Sequence, residues 1–156
     1  MSRILVEDDV AALAGQYAYD LKRIGGHEVV TAGGGAAALK LLEAGGMDCI
    51  ILDLEMPGMD GLAVLRALKH RGDDTPVIVY TGTGDFDRCI EAVRLGAAGF
   101  IDKAEPMERV AQEVGHAVER QRLRREVFAL RTQLGESTFL GRGAAMERLR
   151  GEIARV

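Results

Sequence analysis

Short apolar runs alternate with amphipathic stretches along the first two thirds of the chain. Residues 49–52, Cys-Ile-Ile-Leu, are apolar without interruption, the pattern of a strand buried on both faces. That run stops at one carboxylate, Asp53, and the breakers Pro57, Gly58 and Gly61 follow. Leu62, Leu65 and Leu68 then recur at helical spacing. The same alternation surrounds this unit. Residues 3–6 are a short strand leading into Glu7-Asp8-Asp9, and Val10, Leu13, Tyr17, Leu21 and Ile24 mark a helix stopped by Gly25-Gly26. Residues 28–31 and 77–80 predict two more strands, residues 36–44 an Ala/Leu helix, and Ile90, Val93 and Leu95 a helix closed by Gly96. Gly99-Phe100-Ile101 is the fifth strand and ends at Asp102-Lys103. A β-α order repeated five times, with apolar strands and short loops, predicts an α/β fold. Its core is a five-stranded parallel, doubly wound sheet with helices on both faces.

Beyond Lys103 the period changes. A helix starts near Pro106, a residue suited to the first helical turn, and is expected to run to Gly135. Val110, Val114 and Ala117 form a stripe that suits packing on the sheet. Leu123, Val127, Leu130 and Leu134 step by 4, 3 and 4, a heptad seam. The two stripes are out of register, which implies a stutter near residues 120–123. Residues 1–120 therefore read as one domain and 121–135 as an extended, coiled-coil-like helix that makes a homodimer. Arg120, Arg122, Arg124 and Arg125 flank the seam in alternation with Glu119 and Glu126. That is the pattern of a solvated face, and no direct nucleic-acid contact is expected from it.

Charge follows the same division. Residues 1–103 carry 16 acidic and 10 basic side chains, and residues 104–156 carry 8 acidic and 10 basic. An acidic body is joined to a mildly basic tail. No apolar run approaches the roughly 20 residues of a membrane span, so no membrane contact is expected. Cys49 and Cys89 cannot build a disulfide framework and read as buried small hydrophobes. The expected location is the cytoplasm. Gly33-Gly34-Gly35 lacks the Lys and Ser/Thr of a phosphate loop and reads as a plain turn.

The candidate chemistry lies at the carboxyl ends of the strands, where open α/β sheets place their ligands. Strand one leaves Glu7, Asp8 and Asp9 there, strand three Asp53, strand four Thr81 and strand five Lys103. Clustered carboxylates repel unless a cation joins them. Oxygen donors suit Mg²⁺, which keeps several waters and accepts phosphate oxygens. A hydroxyl and an ammonium opposite the metal could hold the remaining oxygens of a phosphoryl group. A carboxylate between them is a plausible nucleophile, because carboxylates form acyl phosphates. The group reads as a site for phosphoryl transfer onto Asp53.

At these residues the sequence resembles the receiver domain of two-component response regulators, over residues 3–120. The resemblance is carried by Ile4-Leu5-Val6-Glu7-Asp8-Asp9, Asp53-Leu54-Glu55-Met56-Pro57-Gly58-Met59-Asp60-Gly61, Val79-Tyr80-Thr81-Gly82 and Gly99-Phe100-Ile101-Asp102-Lys103. It implies the flavodoxin-like receiver fold and a signalling switch, not a conventional enzyme. Asp53 would take phosphate from a sensor histidine kinase. Asp8 would bind Mg²⁺ directly and Glu7 through water, with Asp53 and the backbone carbonyl of Glu55 completing the set. Thr81 and Lys103 would hold the phosphoryl group. Gly82 would leave room beside it, and the side chains of Glu55 and Thr83 would tune hydrolysis. Phe100 resembles the family's switch aromatic, which turns inward as Thr81 moves. The pattern breaks at Ala104, where the family has proline after the lysine, often with a cis bond; a cis bond costs about 2.5–4 kcal/mol without proline.

Residues 136–156, from Phe139-Leu140-Gly141-Arg142 onward, resemble the opening of the AAA+ ATPase domain of sigma-54-dependent regulators and stop before any Walker A motif. The implied whole is a sigma-54-dependent transcription activator whose AAA+ and DNA-binding domains lie downstream. Two other readings stand beside it. Asp53-Leu54-Glu55 loosely resembles the nucleophile motif of Mg²⁺-dependent phosphatases of the haloacid-dehalogenase type, although that family carries it on the first strand. A pseudo-receiver that only mediates protein contacts would not need the acidic cluster, Thr81 and Lys103 together.

Overall fold

The computed structural model describes residues 2–54, 61–82 and 86–138, with side chains as far as residue 134. The elements are β1 (Arg3–Glu7), α1 (Ala11–Gly25), β2 (Glu28–Ala32), α2 (Gly35–Glu43) and β3 (Cys49–Asp53). They continue with α3 (Gly61–Arg71), β4 (Val77–Thr81), α4 (Phe86–Arg94), β5 (Gly99–Asp102) and α5 (Met107–Thr138). All five strands are parallel, in the order β2-β1-β3-β4-β5. β3 and β4 are buried along their whole length, which is why their sequences lack polar alternation.

Each inner strand divides its side chains between two cores. Leu5, Ile50, Leu52 and Val79 pack with Leu42 of α2, Leu65 of α3 and Ala92 of α4. Ile4, Val6, Ile51, Ile78 and Tyr80 pack with Leu21 of α1 and Val114 of α5. Both faces are thus covered, as the doubly wound reading expects. Gly26 caps α1 in the left-handed conformation at φ 68°, with its N–H bonded to the carbonyls of Leu21 and Lys22. A glycine is needed there because a Cβ disfavours that geometry.

The structure refines the sequence reading at three places. Cys89 is buried on α4 as expected and Ala92 with it, while Ile90 and Val93, which marked the helix, are exposed. The packing stripe of α4 lies one residue before its largest aliphatics. Gly135 does not end α5, which continues to Thr138. A mid-helix glycine costs only about 1 kcal/mol, too little to stop a helix without a competing turn. The bond after Lys103 is trans, as are the other peptide bonds of the described residues.

Two compact units are present, one of Met1–Gln121 and one beginning at Arg122. In the first, α5 buries Val110, Ala111, Val114, Ala117 and Gln121. In the second, every side chain of residues 122–134 is exposed. The segment resembling an AAA+ opening from Phe139 onward lies outside the described residues. No helix among the described residues is long and apolar enough to cross a membrane.

Candidate functional site

Strand register decides which acids meet. β1 pairs Glu7 with Leu52 of β3, so Asp8 comes level with Asp53. Carboxylate oxygens of Asp8, Asp9 and Asp53 lie within 4.8 Å of one another. Asp53 is fully buried and Asp8 nearly so, while Asp9 is exposed. Asp53 shares its face with Tyr80, its partner across β4. The Tyr80 hydroxyl donates to Asp8, and its ring stacks on Tyr17 at 5.0 Å. Burial, and then the bond to Asp8, drives the Tyr80 phenol far above its ordinary pKa. Tyr80 therefore stays a proton donor that holds Asp8 in place.

Glu7, expected to meet the metal through water, is fully buried at the end of β1. It belongs to β1 and points to the same side as Leu5 and Leu52, the core shared with α2, α3 and α4. Its oxygens are not among the converging three. Asp9 is the third member of that group. Both Glu7 carboxyl oxygens are buried without a hydrogen-bond partner among the described residues. Burial, with Asp53 and Asp8 adding repulsion, raises its pKa from 4.5 to about 8. An unpaired polar group of this kind costs stability. Glu7→Leu, which keeps the volume and suits the apolar neighbours, is expected to raise the unfolding free energy in urea by roughly 1–3 kcal/mol. A loss of stability instead would show that the carboxyl has a partner in the folded protein.

Lys103 reaches Asp53 as expected. Its Nζ lies 3.1 Å from Asp53 Oδ2 and 5.3 Å from the centre of the Tyr80 ring. Its backbone N–H donates to the Thr81 carbonyl at 3.0 Å, which aims the residue across the end of β4. Asp102 steadies the following turn: its N–H donates to Glu105 at 3.1 Å and its carboxylate accepts from the Ala104 N–H at 2.8 Å. Alanine after the lysine is thus accommodated by side-chain bonds in the trans form.

Thr81 is buried, and its hydroxyl has no hydrogen-bond partner among the described residues. Beside it opens a cavity of about 180 Å³, lined in part by Gly82, Cys89, Phe100 and Glu105. Phe100 is 54 % exposed at the edge of this cavity, so its ring stands outside the core. Arg88 of α4 donates to the Leu54 carbonyl at 2.6 Å, tying α4 to the segment after β3. Spacing along the chain assigns no role to Arg88 or to the Tyr80 side chain; both act through strand register and helix packing. Glu55 and Thr83 lie outside the described residues.

The donor set fits a hard divalent cation: three converging carboxylates and no nitrogen or sulfur. Opposite them stand an ammonium and a buried hydroxyl lacking a partner, the groups that accept phosphoryl oxygens. The arrangement can bring a carboxylate nucleophile, a cation and two phosphoryl-oxygen donors to one point.

Comparison with known proteins shows the family. Residues 4–115 match the family model of the response regulator receiver domain. The C4-dicarboxylate transport transcriptional regulatory protein DctD of Pseudomonas aeruginosa is 38 % identical over 109 residues, covering 67 % of this chain and 24 % of the relative. The nitrogen assimilation regulatory protein NtrX of Azorhizobium caulinodans is 32 % identical, covering 98 % of this chain and 34 % of the relative. A crystal structure of NtrX from Brucella abortus superposes with a TM-score of 0.80 at 33 % identity, over 100 % of this chain and 35 % of that one. The chain thus spans between a quarter and about a third of the length of these relatives.

Proposed function

The chain belongs to the response regulator receiver domain family, and from that premise we propose that Asp53 is its phosphoacceptor. The partner is a sensor histidine kinase. The observation that carries the reading is the buried Asp53 held between Lys103 at 3.1 Å and the carboxylates of Asp8 and Asp9. Asp8, Asp9 and Asp53 would hold Mg²⁺, with the Glu55 carbonyl as a further oxygen. When bound, Mg²⁺ would neutralise the clustered carboxylates and the charge on the transferred phosphoryl oxygens.

The remaining work falls to the chain's own groups. An Asp53 oxygen attacks the phosphorus, and the bond from phosphorus to the kinase histidine nitrogen breaks. The electron pair leaves on the imidazole, and an acyl phosphate forms on Asp53. Lys103 moves its ammonium from the Asp53 carboxylate to a phosphoryl oxygen. Thr81 gives its unpartnered hydroxyl to another. That movement empties space beside Thr81, and Phe100 can turn inward to occupy the cavity it now borders. The face formed by α4 and β5 changes with it, which biases a two-state output surface. The similarity to NtrX and DctD supports a transcription-regulating output, which we read as that of a sigma-54-dependent activator. The exposed seam from Leu123 to Leu134 supports a homodimer.

A small phosphodonor such as acetyl phosphate provides the test. In Mg²⁺ the protein should gain one phosphoryl group that hydroxylamine removes, as an acyl phosphate requires, and chelation with EDTA should prevent labelling. A hydroxylamine-resistant product would overturn the assignment. Steady turnover of p-nitrophenyl phosphate would favour the phosphatase reading.

A further inference from the structure

β4 is buried along its whole length, and a strand buried on both faces asks only for apolar side chains. Tyr80 instead carries a hydroxyl into the core, which costs stability unless a partner takes it. The partner is Asp8. The Tyr80 hydroxyl donates to Asp8 Oδ2, and the Val10 N–H donates to Asp8 Oδ1 at 2.9 Å. Each carboxylate oxygen thus has its own donor, one from β4 and one from the N-cap of α1. Two donors on different elements fix the plane of a carboxylate that either alone would leave free to turn. Asp8 is nearly fully buried, which leaves little room for water to replace a lost donor.

The ring has neighbours of its own. Strand register sets Tyr80 opposite Asp53. Tyr17 of α1 stacks on the ring with centroids 5.0 Å apart and planes at 27°, and both tyrosines are buried. Lys103 Nζ lies over the ring, 5.3 Å from its centre, within the range of a cation–π attraction. The same Nζ is 3.1 Å from Asp53 Oδ2. Held from α1, the ring is a platform that keeps the ammonium beside the acceptor. We propose that Tyr80 is a positioning residue of this site with two separable parts: its hydroxyl aims the Asp8 carboxylate toward Asp9 and Asp53, and its ring holds Lys103 on Asp53. Phenylalanine would supply the ring alone, and an unbranched aliphatic side chain neither part. The inference rests on the reading of Asp53 as phosphoacceptor and of Asp8, Asp9 and Asp53 as the Mg²⁺ site, and adds a residue that serves both.

The test reads metal binding apart from labelling. Mg²⁺ alone is titrated by calorimetry into the whole chain, as the parent, Asp8→Asn, Tyr80→Phe and Tyr80→Met, each checked for folding by circular dichroism and urea unfolding. Hydrogen bonds that orient metal ligands are commonly worth tenfold or more in affinity, so Tyr80→Phe should weaken Mg²⁺ binding by about tenfold. Tyr80→Met should weaken it at least as much; both lack the hydroxyl, so either variant tests this part. A merely structural role would lower the urea midpoint of Tyr80→Phe and leave its Mg²⁺ affinity at the parent's value. That result, or tighter binding, would overturn the role of the hydroxyl. A parent that binds no Mg²⁺, or binding indifferent to Asp8→Asn, would instead overturn the reading of the metal site on which the inference rests.

Labelling from acetyl phosphate, at Mg²⁺ concentrations that saturate each variant, tests the ring. Saturation removes the difference in metal affinity and leaves the placement of Lys103. Tyr80→Met should then label about threefold more slowly than Tyr80→Phe, the size of a lost cation–π contact. Tyr80→Leu repeats the comparison where methionine unfolds the protein. Equal rates with and without the ring would overturn its role.

Discussion

Asp53→Asn is expected to abolish phosphoryl labelling from acetyl phosphate, with a loss of at least ~10³-fold, as expected when a nucleophile is removed. Asparagine keeps the shape of the side chain and removes its nucleophilic charge. It also removes one of three carboxylates whose oxygens crowd within 4.8 Å. The variant should therefore remain folded, with a melting temperature at or above that of the parent in the absence of Mg²⁺. Lys103→Ala makes the complementary case. It deletes the ammonium 3.1 Å from a fully buried carboxylate and leaves that charge among like charges. Breaking one side of such a pair is costly, so Lys103→Ala should lose both labelling and stability. Two measurements, incorporated phosphate and thermal midpoint, separate the variants. Undiminished labelling of Asp53→Asn would move the acceptor elsewhere, and peptide mapping would find it.

Gly61→Ala is expected to destabilise the protein by about 3 kcal/mol and to depress labelling with it. Gly61 opens α3 directly against the end of β3. A Cβ there would sit 2.4 Å from the Asp53 carbonyl oxygen and 3.0 Å from Leu54 Cα. Both are backbone atoms and cannot swing aside, so either α3 or the acceptor strand must shift. Gly15→Ala offers the contrast within the same fold. Its Cβ would meet nothing within 4 Å, and alanine is the better helix former. That variant should gain up to about 1 kcal/mol with labelling unchanged. Urea unfolding of the pair, read beside labelling, checks the argument. Equal stability of Gly61→Ala and the parent would mean that α3 has room the backbone geometry denies.

The sheet and the main site residues were legible because each depends on local signals. Apolar runs such as residues 49–52 and 77–80 can be buried on both faces only in a parallel sheet covered by helices. A parallel sheet brings its strand ends to one edge, and so Asp8, Asp53, Thr81 and Lys103 belong together before any coordinates exist. The heptad spacing of Leu123, Val127, Leu130 and Leu134 was legible too, since it is a property of one helix. What the sequence left open turns on alternation and register, which slip by a single residue. Glu7 and Asp9 are both acids at the end of β1. Only the pairing of Glu7 with Leu52 sends the first into the core and leaves Asp9 beside Asp8 and Asp53. The same one-residue uncertainty put Ile90 and Val93 outside and Cys89 and Ala92 inside on α4. Tyr80 and Arg88 gained their places through contacts with residues 72 and 34 positions away. Spacing along a chain determines periods and strand ends; packing between elements decides which side chain of a pair faces the site.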